Sequence, residues 1–309
     1  MTYCVAMRLD AGLVFLSDSR TNAGVDQIST FRKMTAFEHP GERVLVLMSA
    51  GNLGITQAVR QIVTERIGPH DASVWNAKTM VEAVRVVGDA VREVYARDAA
   101  ALKQSGIDFN CTFIFGGQIR GERTRLFLVY AAGNFVEATP ENVYFQIGEA
   151  KYGKPILDRV IGPSASLNEA AKCALISMDS TLRSNISVGL PLDLLVYEAD
   201  SLRVTKFVQI DQNNQYMQMI RSTWGARLKQ VFQEIPDPTW RDAGVAPGAP
   251  LLETEPSSPV RAPLPEALEA VPRPAGVQLA AESSQPMPSR QSDGGNGSLP
   301  GPRLGQING

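Results

Sequence analysis

Histidine and cysteine are scarce in this chain of 309 residues, which has two of the former and three of the latter. His39 and His70 are too few for a multi-histidine metal centre. Cys4, Cys111 and Cys173 are odd in number, widely separated and form no Cys-x-x-Cys pair. A disulfide framework and a zinc site are therefore excluded, and no metal or cofactor is expected. Charge of either sign is also not in excess. Thirty Lys and Arg against 32 Asp and Glu leave a net charge of −2, with no basic field to attract nucleic acid or an anionic membrane. No uninterrupted apolar run reaches the roughly 18–20 residues of a membrane helix. The opening Met1-Thr2-Tyr3-Cys4-Val5 lacks the charged and apolar regions of a signal peptide, so a cytoplasmic chain is expected.

Aromatic residues are missing from one region. Between Arg241 and Gly309 there is no Phe, Trp or Tyr, and 12 of the chain's 20 prolines lie there. Ordering a residue costs about 1–2 kcal/mol, which a segment so poor in apolar side chains cannot offset by burial. Residues 241–309 are expected to be a disordered tail, with Pro265–Val271 as one stretch able to form a helical turn on a partner. Residues 2–240 are expected to form the folded domain.

What that domain contains is alternation and helical periodicity in blocks. Strands are expected over Tyr3–Leu9, Leu13–Asp18, Phe31–Phe37 and Arg43–Met48, the last apolar on both faces and hence central and covered. Asn52 is a good N-cap for a helix carrying Ile55, Val59 and Ile62, stopped at Gly68-Pro69. A second helix from Met80 to about Ala101 carries Val84, Val87, Val91 and Val94 on one face. Strands around Cys111–Phe115, Arg125–Ala131 and Val143–Ile147 precede helices near Lys154–Ile161 and Leu167–Leu182. Leu192–Glu198 and Leu202–Phe207 read as strands, and an amphipathic helix over about Asn214–Phe232 closes the pattern. Segregated runs of this kind indicate α+β, with two packed antiparallel sheets and helices outside.

Chemistry concentrates at the beginning of the chain. A small residue after Met1 permits removal of the initiator methionine, which exposes Thr2. An N-terminal threonine carries a hydroxyl nucleophile and an α-amine of pKa near 7.7–8, a general base close to neutrality. Asp18 ends the adjacent strand, Arg20 follows it, and Lys33 is placed on the third strand. A cation beside the amine lowers its pKa and steadies an alkoxide, and a carboxylate holds that cation in place. Ser49-Ala50-Gly51-Asn52 marks a strand breaking into a helix, where backbone N–H groups suit an oxyanion. The cysteines, by contrast, sit among apolar residues and read as core, and both histidines read as surface.

Thr2, Ser17-Asp18-Ser19-Arg20, Lys33 and Ser49-Ala50-Gly51, in that order, resemble the proteasome β-subunit family of N-terminal-nucleophile hydrolases. Thr2-Tyr3-Cys4-Val5 with Ser17–Asp26 is most similar to its bacterial Anbu (ancestral β-subunit) branch. The resemblance covers about residues 2–235. It implies an αββα four-layer sandwich, Thr2 as nucleophile, Asp18 and Lys33 as the supporting pair, Gly51 N–H as oxyanion donor and Arg20 as a structural charge. It further implies self-assembly into a ring or open spiral, acting on a peptide or a small amide, with any unfoldase partner undetermined.

Three departures accompany the resemblance. Lys33 falls one residue nearer the threonine than the usual spacing. Gly148-Glu149 stands where a Gly-Ser step is expected, and Asn185 stands where an aspartate is expected, with Ser187 as a candidate replacement hydroxyl. Weaker proton shuttling, and low turnover on ordinary peptides, are the expected consequences. The alternative they favour is a non-catalytic assembly subunit that recruits partners.

Overall fold

The structure, a computed structural model, describes residues 2–23, 27–68 and 72–238. The expected tail over 241–309 and His70 lie outside the described residues.

Strand alternation sorts side chains into layers from the first element onward. In β1 (Tyr3–Leu9), Tyr3, Val5, Met7 and Leu9 face one way, while Cys4 and Ala6 face the other. β1 pairs antiparallel with β2 (Gly12–Asp18) across the turn at Asp10-Ala11. A short hairpin, β3 (Arg20–Ala23) and β4 (Gln27–Thr30), follows and forms a two-stranded sheet of its own. β5 (Met34–His39) and β6 (Arg43–Gly51) then open the second large sheet. β6 leads into α1 (Leu53–Glu65), and α2 (Met80–Gln104) returns across the same face.

The second half repeats the plan. β7 (Cys111–Ile119), β8 (Arg125–Val129) and β9 (Phe135–Glu137) complete the second sheet in the order β5-β6-β7-β8-β9. β10 (Tyr144–Gly148) crosses back to pair with β1. α3 (Lys154–Val160) and α4 (Leu167–Ser184) come next, then β11 (Leu192–Glu198), β12 (Lys206–Ile210) and α5 (Gln215–Glu234). The first sheet reads β10-β1-β2-β11-β12, and pairing in both sheets is antiparallel.

Three apolar layers hold these elements together. Leu45, Leu47, Phe113 and Phe115 of the second sheet pack on Val59, Val84, Val87 and Val91 of α1 and α2. Val5, Leu16 and Leu194 of the first sheet pack on Cys173, Ala174 and Met178 of α4 and on Met217 and Ile220 of α5. Between the sheets lie Cys4, Ala6, Phe15, Val46, Met48 and Ile114. The result is the αββα sandwich, and all three cysteines are buried in it. No helix among the described residues is long and apolar enough to cross a membrane.

Several boundaries differ from expectation. Phe31-Arg32-Lys33 is not strand, because the chain is there crossing from the small hairpin to β5, which starts at Met34. The final strand begins at Lys206 instead of Leu202: Asp200 and Leu202 have positive φ and turn the chain before it can pair with β11. The α5 helix buries Met217 and Ile220, while Met219 is exposed and Trp224 half-buried.

Candidate active site

Thr2 sits at the mouth of the inter-sheet layer, one residue before β1. Its carbonyl accepts the N–H of Glu149 at 2.6 Å. That close approach needs Gly148, whose φ is +81° and where a Cβ would stand 2.0 Å from the Thr2 carbonyl oxygen. The backbone around Thr2 is thus pinned from the β10 side before any side chain is considered.

Asp18 pins it from the β2 side. Its Oδ1 accepts the N–H of Tyr3 at 2.9 Å and the Lys33 ammonium at 2.6 Å, and its Oδ2 accepts the N–H of Gly189 at 3.3 Å. The carboxyl is fully buried. Burial pushes its pKa above the ordinary carboxylate value, opposed by the Lys33 charge and by the two backbone donors. Lys33 Nζ also donates to the Arg20 carbonyl at 2.6 Å, and its side chain is only 7% exposed. Lying before β5 and not within it, Lys33 turns inward while its own carbonyl accepts the Ser49 N–H at 3.0 Å.

Arg20 extends over Gly189, where a Cβ would meet its Nε at 2.1 Å, and donates to the Ile186 carbonyl at 3.0 Å. Gly51 ends β6 with φ +117°. Asn52 then caps α1, its Oδ1 accepting from Gly54 N–H at 2.9 Å and Ile55 N–H at 3.3 Å.

These segments surround one cavity of about 780 Å³. Thr2, Arg20, Lys33 and Gly51 all line it. Asp18 stands behind Lys33 and Ser187 lies elsewhere; neither is among the lining residues. Ser187 contributes its backbone N–H, donated to Asn185 Oδ1 at 2.9 Å. Asn185 in turn donates through Nδ2 to Glu149 Oε2 at 3.0 Å, and both side chains are buried. Two of the positions that depart from the pattern of the resemblance, Glu149 and Asn185, are therefore hydrogen-bonded partners, and Glu149 directly follows Gly148. Periodicity and spacing give no sign of this pairing, because the partners lie 36 positions apart. Among the described residues no group of three or more His, Cys, Asp and Glu is placed to hold a metal ion.

With this geometry in hand, solved structures supply the relatives. Anbu (ancestral β-subunit) from Yersinia bercovieri is 52% identical to this chain, with 77% of this chain and 99% of that one covered and a TM-score of 0.73. The chain belongs to the Anbu family. A Gly-1 mutant of Anbu from Hyphomicrobium sp. strain MC1 is 50% identical over 77% of this chain and all of that one, with a TM-score of 0.73. The helical assembly of the Anbu complex from Pseudomonas aeruginosa is 47% identical, covering 78% and 100%, with a TM-score of 0.75. No protein-family model matches the chain, and no curated protein sequence matches it. The Anbu branch of proteasome-like N-terminal-nucleophile hydrolases, inferred from Thr2-Tyr3-Cys4-Val5 with Ser17–Asp26, thus stands.

Proposed function

We propose that this Anbu-family chain is a threonine-type amide hydrolase that becomes competent when Met1 is removed. The observation that carries the reading is the shared cavity of Thr2, Lys33 and Gly51, with Lys33 fixed by a buried Asp18. The Thr2 hydroxyl oxygen attacks a substrate carbonyl while its own α-amine takes the proton. The Gly51 N–H receives the developing oxyanion. The tetrahedral intermediate collapses, the C–N bond breaks, and the α-amine returns the proton to the leaving amine. Water then attacks the acyl ester with the same amine as base, releasing the acid and regenerating Thr2. Lys33 lowers the amine pKa without taking part in bond changes.

The relative from P. aeruginosa is a helical assembly, and self-association into a ring or open spiral is proposed for this chain as well. It is proposed to act in the cytoplasm, on a peptide or small amide. The buried Glu149–Asn185 pair favours a second reading, a subunit of weak or no turnover that recruits partners, because both residues stand where proton-relay groups are expected.

Intact mass of the untagged protein, before and after an epoxyketone probe, separates the two. Such a probe closes its ring only on a hydroxyl and a free α-amine of one residue. Loss of Met1 with an adduct on Thr2, absent in Thr2→Ala, is the expected result. Retained Met1, or a Thr2→Ala protein with unchanged labelling, overturns the assignment.

A further inference from the structure

Among the described residues, the cavity that holds Thr2 is lined by four cations and no carboxylate. Arg20, Arg32, Lys33 and Arg60 contribute to its wall, and no described Asp or Glu does. Lys33 is neutralised by Asp18 from behind. The three arginines are not. Among the described residues, every ion pair within 4.0 Å involves other cations or Lys33. Arg20 spends one N–H on a backbone carbonyl, and Arg32 stands over the Phe207 ring at 5.8 Å. Asp193 feels the Arg32 charge, and both its oxygens are buried without a hydrogen bond. Burial pushes the pKa of that group up from its ordinary value, opposed by the Arg32 charge.

The chain as a whole carries −2, so this positive concentration is local to the cavity. Its geometry is also spaced. Leu53, Thr56, Gln57 and Arg60 recur at helical intervals and put one face of α1 on the cavity wall. From the Asn52 cap to Arg60 is eight residues, roughly 12 Å along the axis at 1.5 Å per residue. An extended peptide covers that distance in about three to four residues.

Building on Thr2 as nucleophile, we propose that the substrate is an acidic peptide. Carboxylates near the scissile bond meet Arg20 and Arg32, and a carboxylate three to four residues away meets Arg60. Guanidinium forks suit carboxylates bidentately, and a cleft lined by one sign of charge concentrates the opposite charge.

The test is equilibrium binding to the assembled Thr2→Ala protein, which needs no catalysis. End-labelled hexaglutamate and hexaglutamine peptides are titrated by fluorescence anisotropy at low and high salt. Hexaglutamate is expected to bind about tenfold or more tightly than hexaglutamine, the worth of one charge-assisted hydrogen bond. That advantage is expected to shrink in high salt and in Arg32→Gln and Arg60→Gln, both exposed positions whose loss leaves the core intact. Arg85→Gln, an exposed arginine on α2 away from the cavity, is expected to keep it. Equal affinity for the two peptides, or an advantage that survives both cavity substitutions, overturns the proposal. The epoxyketone adduct reports on Thr2 separately, so failure of the substrate class and failure of the nucleophile give different results.

Discussion

At the scale of single residues, the site depends on charges held where water does not reach. Lys33 Nζ finds two acceptors at 2.6 Å, Asp18 and the Arg20 carbonyl, and this pairs a buried ammonium that would otherwise stand without compensation. The same burial raises the pKa of Asp18 above its ordinary 3.8. The rate of Thr2 labelling falls first as the α-amine base protonates, and protonating Asp18, which removes the anion that holds Lys33, should add a second fall at a midpoint above 3.8. A pH–rate profile that follows a single protonation down to that value contradicts the role given to the pair. Glu149 and Asn185 make a second prediction. Asn185→Asp replaces the donor to Glu149 Oε2 with a second carboxylate at 3.0 Å. A loss of about 1–3 kcal/mol is expected at pH 7 by chemical denaturation. The carboxylate pair must bind a proton more tightly folded than unfolded, so the penalty is full at neutral pH. It vanishes relative to the parent below the unfolded carboxylate values near pH 4.

Elements position these residues through their ends. β6 stops at Gly51 and α1 starts after one residue, because Asn52 adopts extended backbone and its side chain caps two N–H groups. Asn52→Ala should cost about 1 kcal/mol and lower Tm by roughly 2–4 °C, read by thermal melting. Most elements were legible beforehand for a simple reason. Apolar residues three and four apart in α2 and α4 meet a covered face on one side, and the nearly unbroken apolar runs of β1 and β6 belong to strands covered on both faces. The β3–β4 hairpin and β9 were not legible, since strands of three or four residues carry too little alternation to separate from loop. Lys33 was expected on a strand from the alternation of Phe31–Phe37. Tertiary demands there exceed pattern, as the chain must cross between sheets and send one lysine inward.

For the whole molecule, the described body ends at Pro238 and the aromatic-free segment lies beyond it. A chain ending at Pro238 is expected to melt within about 1 °C of the full protein, because a sequence so poor in apolar and aromatic side chains is expected to add little burial to the transition. A lower Tm would mean that the segment packs on the body. The sequence by itself indicated α+β with two packed antiparallel sheets and helices outside, through segregated blocks of strand and helix text, and its resemblance to a known family implied the αββα order of layers. It also brought Thr2, Asp18, Lys33 and Gly51 forward as candidates, because Thr2, Asp18 and Gly51 fall near strand ends read from local pattern and Lys33 accompanies them in the resemblance. Only the tertiary structure decided which distant residues meet. Glu149 with Asn185, Arg20 with Gly189, and three arginines on the wall of one cavity are products of sheet register and helix placement. Local periodicity specifies which face a residue occupies, and only packing specifies what stands opposite it.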